Sequence, residues 1–235
     1  MTKKILTTLA LSAVLIAFNS CKKDDDGPVA PAEYMVVHST PGAPAVELYL
    51  DDVKATTSPV QFGSYSNYSS IASKQYNVKI AAVNTINPIS ETTVNLDGGN
   101  NYSIFSYDTL LNGKAKVFAI RDDLSAPPAG KAKVRFFHLV PGANVPNVDI
   151  AANNTVLFPN RSFADNVSDG GKANFITVDA GTYTVTARLA GSTTIDILNV
   201  PGVVIEAGKI YTIIAKGRIG GSGDAALGAQ VIVNK

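Results

Sequence analysis

Phe137-His138-Leu139-Val140-Pro141-Gly142-Ala143 repeats a phrase that the chain has already used, Val37-His38-Ser39-Thr40-Pro41-Gly42-Ala43. In both places an apolar run leads in, Pro-Gly ends it, and a Val-acid-apolar segment follows: Val46-Glu47-Leu48 in the first copy, Val148-Asp149-Ile150 in the second. Self-similarity on this scale marks a tandem duplication. The chain of 235 residues therefore divides into two units of roughly 90 to 100 residues, each large enough to bury a core of its own.

The phrase also sets the class of fold. Tyr34 to Thr40 is apolar on both faces and reads as a strand held between packed layers. Val46, Leu48 and Leu50 then alternate with Glu47, Tyr49 and Asp51, the period of two expected of a half-buried strand. Asp51-Asp52 can turn the chain, and a further strand is expected near Val60 to Tyr65, followed by a polar loop. Tyr76, Val78 and Ile80 oppose Gln75, Asn77 and Lys79 in the same way. Strands over Tyr102 to Tyr107 and Ala115 to Arg121 flank Asn112-Gly113, the strongest short hairpin signal.

The second unit runs through the same series, with Tyr183, Val185 and Ala187 answering Tyr76, Val78 and Ile80, and Ile210 to Ala215 answering Tyr102 to Tyr107. No long amphipathic helical period occurs. The expected fold is all-β: two tandem immunoglobulin-like antiparallel β-sandwich domains over residues 34–122 and 133–235, linked by a proline-rich joint at 123–132. With no tryptophan and a single cysteine, a true immunoglobulin core with its disulfide is excluded while the architecture stands.

Ahead of the first unit come Lys3-Lys4, an apolar run from Ile5 to Phe18, and Asn19-Ser20-Cys21. The run is shorter than the ~20 residues that span a bilayer, so 1–20 reads as an export signal. Residues 21–33, with Lys22-Lys23-Asp24-Asp25-Asp26-Gly27-Pro28, read as a solvated, disordered tether. Cys21 as the sole cysteine at the cleavage point resembles a bacterial lipoprotein signal, which implies lipidation of Cys21 and attachment to a membrane. A cysteine followed by lysines and several acids also resembles the surface-export signal of lipoproteins of the Bacteroides group (Bacteroidota). That resemblance implies an outer-membrane, cell-surface location; the alternative is a periplasm-facing lipoprotein.

A second resemblance lies in the folded part. His138-Leu-Val-Pro-Gly-Ala with Val148-Asp-Ile, then Asp179-Ala-Gly-Thr-Tyr-Thr-Val-Thr and Glu206-Ala-Gly-Lys-Ile-Tyr-Thr-Ile-Ile-Ala, resemble the bacterial domain of unknown function 4397. The joint from Arg121 to Arg135 is similar to that family's connection between successive units. The first unit departs from the pattern, Ser73-Lys74-Gln75-Tyr76 replacing the Ala-Gly-Thr-Tyr turn. The resemblance implies export and an all-β fold; it implies no activity and no site.

Little in the sequence demands chemistry. His38 and His138, the only histidines, occupy equivalent places, each with a nearby acid, Glu47 or Asp149, that could orient it as a base. The nucleophile such a pair requires is missing, because Ser39 becomes Leu139 in the second unit. A structural role, fixing the loop that follows, is the preferred reading, and one histidine per unit falls short of a metal ligand set. No catalytic residue, metal or cofactor is expected. A net charge of +1 without a basic cluster argues against nucleic acid. Tyr65 and Tyr68, set among Ser and Asn in a polar stretch, are the candidate ligand-binding residues. The expected function is a non-enzymatic binding module for a glycan or another cell-surface partner; the alternative is a structural spacer or accessory subunit of an envelope complex.

Overall fold

A computed structural model describes residues 29–235. The expected signal peptide, Cys21 and most of the tether lie outside the described residues. Eight strands build the first sandwich: β1 (Ala32–His38), β2 (Val46–Leu50), β3 (Val53–Lys54), β4 (Ser69–Ile71), β5 (Lys74–Ala82), β6 (Pro88–Leu96), β7 (Asn101–Leu111) and β8 (Lys114–Asp122). Eight more build the second: β9 (Lys131–His138), β10 (Val148–Ala152), β11 (Thr155–Arg161), β12 (Ile176–Asp179), β13 (Gly181–Leu189), β14 (Asp196–Ile205), β15 (Ile210–Lys216) and β16 (Gly228–Val233). Between β11 and β12 lies a single turn of helix, α1 (Asp165–Ser168). β1 and β9 begin slightly before the expected unit boundaries.

Each sandwich has two four-stranded sheets, ordered β4-β1-β7-β8 and β3-β2-β5-β6 in the first, β12-β9-β15-β16 and β11-β10-β13-β14 in the second. The two orders correspond strand for strand. One pairing in each sandwich is parallel, β1 with β7 and β9 with β15, amid otherwise antiparallel neighbours. The apolar run that identified β1 reports burial on both faces and carries no information on strand direction, so the expected antiparallel arrangement holds for the other ladders and not for this one.

The turns follow local chemistry. Asn112-Gly113 joins β7 to β8 with both residues at positive φ, 51° and 75°, as a two-residue primed turn requires. Asp51-Asp52 (49°, 65°) and Asn153-Asn154 (47°, 68°) make the same excursion, which short polar side chains tolerate. The strand expected over Val60 to Tyr65 does not form as a ladder: only isolated bridges occur, Val46 to Val60 and Val37 to Tyr65. Gly63 at φ +73° and the turn bond from Ser64 N–H to the Gln61 carbonyl break the extended run between them.

The cores explain the apolar faces. In β1, Tyr34 and Val36 point into the first sandwich, against Leu48, Val78, Ile80 and Ile104. Met35 and Val37, on its other face, point into a third cluster shared with the second sandwich, joining Phe105, Phe118, Phe137, Leu139, Ile214 and Ile232. The sheets carrying β1 and β9 therefore pack face to face, and both units share an interior. Phe105 stacks on Phe118 at 4.7 Å and meets Phe137 of the second sandwich edge-on at 5.3 Å, geometries that aromatic rings favour. The joint is tied down as well: Lys133 binds Asp123 (2.8 Å) and Ser125 (2.6 Å), and Lys235 donates to the Leu124 carbonyl (3.0 Å). The Lys133 ammonium, foremost, holds the Asp123 carboxyl well below the usual carboxylate range.

Candidate functional site

The segment Gln61–Ser69 carries both candidate tyrosines, and it has two sides. On one side it clasps the second sandwich. Tyr68 donates its hydroxyl to Asp122 Oδ2 at 2.6 Å and receives the Asn234 amide at 3.2 Å. Ser103 donates to the same Asp122 oxygen at 2.7 Å. Asp122 Oδ1 accepts from Arg135 Nη2 at 2.5 Å, Arg135 Nε donates to Thr212 Oγ1, and Thr212 donates to Asn234 Oδ1. These bonds close a ring of five side chains, Tyr68-Asp122-Arg135-Thr212-Asn234, that crosses from one sandwich to the other. Both charged side chains in it are 0% exposed, and the guanidinium lies against the rings of Phe137 (4.8 Å) and Phe175 (4.4 Å). Burial, then the neighbouring Asp122 carboxylate, pushes the Tyr68 phenol well above its ordinary range.

Tyr68 is therefore a member of the interdomain clamp. The sequence reading that placed it in an exposed polar loop is corrected by this geometry, because its hydroxyl is committed to two partners in the interface. Tyr65 is half-buried beside the shared core, and its hydroxyl receives the Val233 N–H at 3.4 Å. Along the same segment Lys216 of β15 sits over the Phe62 ring at 4.8 Å.

The other side of the segment faces a groove. Its opposite wall is the return from β3 through Thr57, Ser58 and Pro59, and its volume is about 430 Å³. Tyr65 is the one sequence-predicted ligand residue that lines it. Thr57, Ser58, Gln61, Ser64 and Asn67 line it too and are exposed. Among the described residues, no hydrogen bond engages their side chains, whereas Tyr34, Thr56 and Ser66 at the base are spent on Ala55, Leu48 and Val36. Among the described residues, no acidic, basic or histidine side chain lines the groove. Sequence reading missed this arrangement because its walls come from two passes of the chain that only the fold brings together.

The histidines have a different role. His38 Nε2 donates to the Pro44 carbonyl at 3.0 Å while Nδ1 accepts the Thr40 N–H at 3.3 Å. His138 makes the same pair of contacts, to Pro146 (3.4 Å) and Val140 (3.4 Å). Each ring therefore staples the Pro-Gly loop to the strand before it. Neither meets the acid that its neighbourhood in sequence offered. Glu47 binds Lys54 and Tyr49, and Asp149 accepts from the backbones of Asn160 and Gly191.

Burial lowers both imidazole pKa values, that of His38 to about 4. An unfolded histidine takes up its proton below pH ~6.5. Between there and about pH 4 the unfolded chain binds more protons than the folded one, so stability falls as pH falls through this window. From His38 alone the unfolding free energy should drop by about 2 kcal/mol between pH 7 and pH 5. Denaturant titrations at several pH values check this, and a flat profile over that interval would contradict it.

No curated protein matches the chain. Among solved structures, the Bacillus anthracis TIE protein superposes with a TM-score of 0.24 at 14% identity, over 80% of this chain and 34% of that one. The chain thus spans about a third of that protein's length, and a likeness of this order supports no functional argument. The family described as Domain of unknown function (DUF4397) matches residues 32–151, which run from β1 through the whole first sandwich and into β10. That match takes in just over half of the chain, and the chain belongs to the DUF4397 family.

Proposed function

We propose that this chain is a non-enzymatic, surface-exposed outer-membrane lipoprotein of Bacteroides-group type. Its tandem pair of DUF4397-type sandwiches acts as a binding module for a glycan or another cell-surface partner. The observation that carries the reading is the groove beside Tyr65, where uncommitted hydroxyl and amide groups converge on a wall braced from behind by the second sandwich. Concave sites with a few convergent polar groups on a fixed scaffold are where proteins bind small ligands. Anchoring rests on the sequence around Cys21 and the charged stretch after it.

The test is a screen of the purified full chain against host and microbial glycans, with cell fractionation of the Cys21→Ala variant alongside. Saturable binding, and release of the variant from the membrane fraction, are the expected outcomes. A variant that stays in the membrane overturns the anchor. A folded chain that binds nothing overturns the recognition role.

A second reading, a structural spacer or accessory subunit of an envelope complex, is favoured by the shared aromatic core and the buried ring, which hold the two sandwiches at a set orientation. It predicts that a stoichiometric protein partner accompanies the chain from gently solubilised membranes, and a chain that purifies alone counts against it.

A further inference from the structure

The groove beside Tyr65 differs in its charge from two other polar hollows among the described residues. The hollow at the joint contains Arg121, Asp122, Asp123 and Lys235, and the one on the outer sheet of the second sandwich contains Arg188 and Asp196. Among the described residues, none that lines the Tyr65 groove carries a charged acid or base. An anionic ligand there would lose hydration without gaining a counter-charge, and a cationic ligand would fare no better.

The groove offers hydroxyls that both donate and accept, two side-chain amides that do the same, and the ring of Tyr65 with Pro59 and Val60 as apolar surface. Hydroxyl groups spaced around an apolar ring complement such a lining. An extended peptide fits less well. The sheet edge beside the groove is only three residues long in β4, and the turn at Gly63 interrupts its continuation. Strand addition needs a longer regular edge.

We propose that this groove is a site for a neutral saccharide, held by hydrogen bonds from Gln61, Asn67, Thr57 and Ser58 with a sugar face against Tyr65. This rests on the recognition reading above and narrows it to one site and one ligand class. Gln61 and Asn67 are exposed and have no internal side-chain partners among the described residues, so replacing them leaves the fold intact. Tyr65 is unsuitable as the first variant because it also braces the second sandwich.

The experiment is calorimetric titration of the full chain with neutral oligosaccharides, with uronate- and sulfate-bearing oligosaccharides of matched length, and with an uncharged extended peptide. Each is titrated at low and high salt, into the parent and the Gln61→Ala/Asn67→Ala variant. The expected result is saturable binding of a neutral saccharide, insensitive to salt, and weakened about tenfold or more in a variant of unchanged melting temperature. Tighter binding of the charged oligosaccharides, falling with salt, overturns the ligand class. Peptide binding that the same variant abolishes also overturns it. Neutral binding that survives the double substitution overturns the site while leaving the recognition role standing. If no probe binds but the glycan screen is positive, the proposal alone falls; if both are blank, the recognition role falls with it.

Discussion

Asp122→Ala lowers the unfolding free energy by about 3–5 kcal/mol. Among the described residues the carboxylate is the only acidic partner of a guanidinium that is itself 0% exposed, so its removal leaves a buried cation uncompensated. It also strips an acceptor from Tyr68 and from Ser103, both of which donate to Asp122 Oδ2. The net value of the pair is a separate quantity, because two desolvated charges recover little more than their lost hydration. An Asp122→Leu/Arg135→Met double variant should therefore lie closer to the parent than Asp122→Ala does. Denaturant unfolding of the three proteins decides the matter. A loss below about 1 kcal/mol for Asp122→Ala, the range of exposed ion pairs, would show that water reaches the ring.

Phe105→Ala is expected to have a comparable effect by a different route. Its side chain is fully buried, stacked on Phe118 within its own sandwich and edge-on to Phe137 of the other. Deleting a buried phenylalanine ring costs about 3–5 kcal/mol, part of it in the cavity left behind. The lost contacts belong to the core that the sandwiches share, so the variant should also unfold in two separable calorimetric transitions. A variant that lost stability but kept a single transition would mean that other contacts suffice to couple the units.

The feature that joins the sandwiches was partly written in the sequence. β1 is apolar on both faces, and a strand with no solvent face must lie between two layers; the second layer is the other sandwich. Asn112-Gly113 announced its hairpin because both residues adopt positive φ readily. The buried ring was less legible. Asp122 stands in a polar run beside Arg121 and Asp123, and Arg135 lies between Val134 and Phe136. A lone arginine inside an apolar strand was the available signal, but its partner is fixed only by the packing of one sandwich on the other.

Tyr68 misled for a related reason. Its Ser and Asn neighbours are those of a surface loop, and side-chain polarity does not reveal that the loop lies against a second unit. Tyr65, expected from the sequence to touch a ligand, lines a groove whose opposite wall, from Thr57 to Pro59, comes from a separate pass of the chain.

The proposed role depends on the two sandwiches acting as one body, since the second braces the wall on which the first is expected to bind its ligand. Scanning calorimetry of the unmodified chain tests this most directly. A shared core and a buried interdomain ring predict one cooperative transition, with the calorimetric enthalpy equal to the van't Hoff enthalpy. Two resolved transitions in the unmodified chain would show that the sandwiches fold independently and would contradict the account.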